Sequence, residues 1–309
     1  MINTSVHPRL NLPMATISEL TFAERVVLPF CTLIPISVAI LGYWVWKRDK
    51  ATETERMTER LSYLFSANCA GMLGLAIYHV LRHVMFVVDY RIGMTAFGVS
   101  FLVFATLAMQ FGVMQLDADS EILLGDDNEV KDYLGTDLES LEQLGPEQAR
   151  VGRNVPRRTY IAVMTYLVIV LQSGFDGLVL KYNPNAQSSA LQVAMFFLAK
   201  VVESVVVCTA LIHAGFRVRF YAMYMCNFTA TVALSTLSAY DLVPSAVVIG
   251  VFENPLFQMG LGATGGLLLC LSFYFLHLET LRTSVGKRWI ANLIFILTFG
   301  AAAVTGMFG

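Results

Sequence analysis

Three charged residues sit where an apolar chain can least tolerate them: Asp176, Lys200 and Glu203, each inside a long run of uncharged residues. Each costs about 2.5 to 3.5 kcal/mol at the centre of a membrane helix on insertion scales, so each needs a partner, water or a function. Gln172 and Asp176 are four residues apart and share a helix face, and Lys200 and Glu203, three apart, share another. If the two faces meet, two carboxylates, an amide and an ammonium form one cluster, with Ser173 beside it. Carboxylate and amide oxygens bind hard or borderline divalent cations. The same cluster also works as an internal ion pair in which Lys200 balances one carboxylate and pins two helices together. The residues leave both readings open. His79 is the one histidine well inside an apolar run, a second-helix polar site that suits a hydrogen bond to a neighbouring helix better than metal ligation. His83 and His277 fall near the ends of their runs.

The elements that carry these residues are helices. Hydropathy predicts spans at about 26–46, 61–81, 93–116, 159–180, 190–212, 220–240, 256–276 and 289–308. Runs of about 20 apolar residues satisfy their own backbone hydrogen bonds in lipid only as helices. The expected fold is therefore an all-α integral membrane protein with eight transmembrane helices. Its parts are an outside N-terminal tail (1–25), helices one to three (26–116), a long charged inside loop (117–158), a central pair of helices with the candidate site (159–212) and helices six to eight (213–309). The loop starts acidic, ends basic and invites a short helix near 137–150. Gly262, Ala263, Gly265 and Gly266, and Gly300 to Gly306 with its alanines, read as seams for close helix packing.

Composition agrees. The chain is 56% hydrophobic and 14% charged, against roughly 25% charged in an ordinary soluble domain. Fifteen Lys and Arg fall in the connections after spans one, three, five and seven and five on the other side, which puts both termini outside. The membrane is the plasma membrane or an organelle membrane, the mitochondrial inner membrane included. The first 25 residues lack the pattern of a cleaved signal peptide, so the first span is expected to remain. The five cysteines, Cys31, Cys69, Cys208, Cys226 and Cys270, form no C-x-x-C pair and read as small buried hydrophobes. A phosphate-cradling glycine loop, a Ser-His-Asp arrangement and a G-x-G-D signature are absent from the sequence, so an enzyme is not expected, and nothing points to nucleic acid.

The ordered set of local motifs resembles the ZIP (zinc- and iron-regulated) family of divalent-metal transporters. The fourth segment, Gln172-Ser173-Gly174-Phe175-Asp176-Gly177, is similar to the family signature that opens with His, a small polar residue, two variable positions, an acidic residue and Gly. The fifth, Ala199-Lys200-Val201-Val202-Glu203, is similar to the family's His-Lys or His-Glu segment. Asn68 to Gly74 followed by His79-Val80-Leu81 looks like the family's second helix, and Gly262-Ala263-Thr264-Gly265-Gly266 like its seventh. The resemblance implies a 3+2+3 arrangement with an inverted repeat around helices four and five, a metal site on those two helices, movement of zinc, iron or manganese as substrate, and a homodimer or larger membrane complex. No tightly bound cofactor is implied.

The pattern departs where the chemistry lies. Gln172 and Ala199 replace the two histidines and Val202 replaces the usual Pro, while Asp176 and Glu203 remain. Imidazole is a favoured zinc ligand, so the expected metal set is Asp176 and Glu203, with Gln172 and Ser173 as weaker ligands and Lys200 as charge partner. The expected function is divalent-metal transport through a weakened site. Its alternative is a transport-inactive relative, kept as an accessory or structural subunit of a membrane complex.

Overall fold

The computed structural model describes residues 16–17, 22–49, 63, 66–86, 90–110, 146–183, 189–240, 244–282 and 288–308. Within them the chain is helical. Helix α1 (Phe22–Val27) passes through a 3-10 turn (Leu28–Thr32) into α2 (Leu33–Asp49). Helix α3 covers 66–86 and contains one π-helical stretch, Leu75–Val80. There follow α4 (Tyr90–Gln110), α5 (Pro146–Lys181), α6 (Ser189–His213), α7 (Val218–Ala239), α8 (Ser245–Glu253), α9 (Pro255–Arg282) and α10 (Arg288–Phe308). Thr16–Ile17 makes a two-residue antiparallel pairing with Tyr182–Asn183.

The helix ends follow from local chemistry. Proline opens α5 and α9, where its missing N–H leaves no hydrogen bond unmade. Between α6 and α7 the chain turns at Gly215, whose φ of 69° is natural for glycine. The turn is closed by Gly215 N–H donating to Ile212 O and Phe216 N–H donating to Leu211 O, the hydrogen-bond pattern of a glycine-terminated helix.

Among the described residues, four helical stretches are long and apolar enough to cross a membrane: Arg25–Trp44, Thr159–Leu180, Ala190–His213 and Pro255–Phe275. Arg91–Leu107 and Trp289–Val304 are shorter apolar stretches. Large apolar side chains point outward, with Ile40, Leu102, Leu234 and Leu297 all more than 60% exposed. Such surfaces are a liability in water and ordinary against lipid.

Packing divides the long helices into two groups. Helices α5 and α6 pack on each other, α5 also on α7, and α2 on both α6 and α7. In the second group α4 lies along α9, while α3 packs on α9, α10 and α4. The groups meet where α10 touches α6, where α9 touches α5, and where Gly71 of α3 lies against Val202 and Val206 of α6.

Several details differ from the sequence reading. Helix α5 begins at Pro146, well before the predicted span at 159, because hydropathy finds the apolar part of a helix and not its polar lead-in. The short helix expected near 137–150 is helical over 146–150 as the first turn of α5, and 137–145 lies outside the described residues, as does most of the loop expected over 117–158. The nine-residue α8, set between Pro244 and Asn254, was not expected. Cys226 is exposed, whereas the other four cysteines are buried as read. Gly300 has nothing within 4 Å of where a Cβ would stand, so it forms no part of a seam among the described residues.

Candidate cation site

The site is built on α5 and α6, with one side chain each from α3 and α9. On α5, Gln172, Ser173 and Asp176 lie on adjoining faces of consecutive turns, as their spacing requires, and Gln172 Nε2 donates to Asp176 Oδ1 at 2.9 Å. On α6, Lys200 reaches across to α5 and back along its own helix. Its Nζ donates to Ser173 Oγ at 2.9 Å, to Asp176 Oδ2 at 2.5 Å and to Glu203 Oε2 at 2.9 Å. Those three acceptors use all three ammonium protons. Nζ also stands 4.9 Å from the centre of the Phe196 ring, on the cation-attracting face of an aromatic.

The two elements of the second helix group complete the cluster. His79 Nε2 is 3.0 Å from Asp176 Oδ1. Thr264 Oγ1 donates its one proton chiefly to Leu261 O of its own helix at 2.8 Å, and the same hydroxyl stands 3.4 Å from Gln172 Oε1. Asp176 is therefore the centre of the arrangement, accepting from Gln172 and Lys200 and meeting His79. The structure brings together all six residues singled out in the sequence: Gln172, Ser173, Asp176, Lys200, Glu203 and His79. Thr264 was missed as a site residue, because a threonine among glycines reads as packing; a hydroxyl one helix away from the charged pair is the only signal it gives.

Burial is nearly complete. Lys200, Glu203, Gln172 and Ser173 have no exposed surface, Asp176 is 2% exposed and His79 6%. Ions so enclosed attract each other far more strongly than in water, but each has also lost its hydration. Two carboxylates and one ammonium leave a single negative charge, which one proton or one further cation balances. Glu203 Oε1 makes no hydrogen bond among the described residues.

The cluster as it stands is an internal ion pair of Lys200 with Asp176 and Glu203, and its donor atoms are of the kind that bind cations. Asp176, Glu203, Gln172 and Ser173 supply oxygen donors and His79 an imidazole nitrogen. Among the described residues, however, no three His, Cys, Asp or Glu side chains stand together as a ready metal-holding group. The centre is held by the ammonium of Lys200, and an incoming ion has to take its place. Comparison of the chain with family models, with curated proteins and with solved structures gives no match.

Proposed function

We propose that the chain is a ZIP-like transporter of divalent metal ions, zinc, iron or manganese, with a weakened site at Asp176 and Glu203. The observation that carries this reading is the position of the cluster at the meeting of two helix groups, some of whose contacts pair off as in an internal repeat, while α6–α10, α3–α4 and α6–α7 have no counterpart among the main contacts. Exchanging α2, α3 and α4 with α7, α9 and α10, and α5 with α6, turns the α4–α9 contact into α10–α3, and α2–α6 into α7–α5. The same exchange turns α5–α9 into α6–α3, which is the approach of Gly71 to Val202 and Val206. Each helix is separated from its counterpart by an odd number of crossings if all eight span, so the two halves run in opposite directions. Inverted repeats of this kind, with a binding site at the interface near mid-membrane, are a general transporter design.

On this reading eight helices, α2 to α7 with α9 and α10, cross the bilayer, both termini face outside and α8 is a short connector. The excess of Lys and Arg on one side supports that orientation. Transport then needs an exchange at the site: the divalent ion takes the carboxylates, Lys200 withdraws, and Lys200 returns as the ion leaves. The ammonium acts as a tethered counter-cation that keeps the emptied site neutralised.

One observation favours a second reading. Lys200 is wholly buried with every proton placed, and Asp176 and Glu203 are buried with it. A transport-inactive relative, kept as an accessory subunit of a membrane complex, has the same appearance. Uptake of labelled zinc, iron and manganese into liposomes holding the purified protein separates the two. Transport predicts saturable uptake that falls to background when Asp176 and Glu203 are both replaced by Ala. Equal flux in the two proteins sinks transport and leaves the subunit reading.

A further inference from the structure

Resting on the cation-site reading, we infer that His79 sets the selectivity of the cluster, making it prefer borderline transition-metal ions such as zinc and iron over magnesium and calcium. The sequence replaces the two central-helix histidines of the family pattern by Gln172 and Ala199, which leaves only oxygen donors on α5 and α6. An all-oxygen set of carboxylates, amide and hydroxyl suits hard ions. An imidazole nitrogen shifts preference toward zinc and its neighbours. The structure returns one imidazole to the cluster from a third helix.

The geometry is close to that of a shared ligand pair. Metal–nitrogen and metal–oxygen bonds of about 2.1 Å put neighbouring ligand atoms about 3.0 Å apart at octahedral angles and about 3.4 Å apart at the tetrahedral angles of zinc. His79 Nε2 and Asp176 Oδ1 are 3.0 Å apart. An ion seated against Asp176 therefore reaches His79 with little change in the spacing of these two atoms, once Lys200 has left Asp176 Oδ2 and the proton shared between Nε2 and Oδ1 has been released.

Helix α3 is shaped to make this approach. Gly71 admits Val202 and Val206 of α6, and a Cβ at Gly74 would collide with Ala302 of α10, so the helix is drawn tightly against both neighbours. The next turn, Leu75–Val80, is π-helical and carries His79. A π turn inserts an extra residue into the helical ladder and turns the following side chains to a new face; such turns are frequent at functional sites. Leu75, Ala76 and Val80 of the same turn are fully buried, which fixes the orientation of the segment.

The test is equilibrium binding of zinc, iron, magnesium and calcium to the purified full-length protein in detergent, for wild type, His79→Ala, His79→Gln and the Asp176→Ala/Glu203→Ala double variant. His79→Gln keeps an amide donor for Asp176 and guards against a folding defect in His79→Ala. The inference predicts a loss of zinc affinity of about tenfold or more in both histidine variants, the scale of changes that disturb metal-site histidines, with magnesium and calcium binding unchanged. Zinc binding in both histidine variants equal to wild type overturns the inference and leaves the cation site standing. Loss of all four ions together in His79→Gln overturns it too, since His79 is then a structural clamp. Wild type binding no better than the double variant removes the site itself, and with it the basis for a role of His79.

Discussion

Replacing Lys200 by Met will cost the protein about 3 to 5 kcal/mol of stability in metal-free buffer, the usual penalty for removing one partner of a buried ion pair. The side chain has no exposed surface, and its three acceptors, Ser173, Asp176 and Glu203, lose their donor together. Two carboxylates then share a closed space with no cation to balance them. For a chain of this size such a loss lowers the melting temperature by on the order of 10 °C, readable by thermal unfolding of the detergent-solubilised protein. The triple variant Lys200→Met, Asp176→Asn, Glu203→Gln should recover most of the loss, because neutral isosteres remove the unpaired charge as well as the pair. A divalent ion should also restore Lys200→Met if the carboxylates form a cation site, and should do nothing if they serve only to hold Lys200. A Lys200→Met protein as stable as wild type without added ions would show that the ammonium is not what balances these carboxylates.

The charged centre of this site was legible because charge is rare in the apolar runs. Spacing alone placed Gln172 with Asp176 and Lys200 with Glu203, and those pairs are hydrogen-bonded within their own helices in the structure. What spacing does not carry is the meeting of separate helices. The partner of His79 depends on the π turn and on the close approach of Gly71 and Gly74, and a π turn leaves no mark in hydropathy. Thr264 reaches Gln172 only because α9 packs on α5, a contact between residues 92 positions apart. The helical class was written in composition and run length. The start of α5 at Pro146 and the presence of α8 were not, since a polar helical turn and a nine-residue helix both fall below what a 20-residue apolar window detects.

Glycines show the same division, and they give the second large effect. In the sequence Gly98, Gly260, Gly262 and Gly266 look alike, each a small residue in an apolar helix. In the structure a Cβ on Gly262 would run into the backbone carbonyl of Gly93, and one on Gly266 into Ser100 and the carbonyl of Phe97, while Gly98 and Gly260 have open space. The first two are therefore the seam along which α4 lies against α9, reinforced by Ser100 Oγ donating to Ala263 O at 3.2 Å. Backbone cannot move aside as a side chain can, so Gly262→Val must push the two helices apart along their length. The expected cost exceeds the roughly 1 to 3 kcal/mol of ordinary overpacking, and the folded yield after membrane extraction should collapse. Gly98→Ala and Gly260→Ala should be neutral or slightly stabilising, because alanine is favoured over glycine in a helix by about 1 kcal/mol. Size-exclusion profiles and thermal unfolding of the three variants decide the matter: a well-folded Gly262→Val, or a loss at Gly98 equal to that at Gly262, would mean that α4 and α9 do not pack along this seam. Because α9 also carries Thr264 to the site, the milder Gly262→Ala should loosen its contact with Gln172 and weaken cation binding before it unfolds the protein, tying the packing of the second helix group to the chemistry of the first.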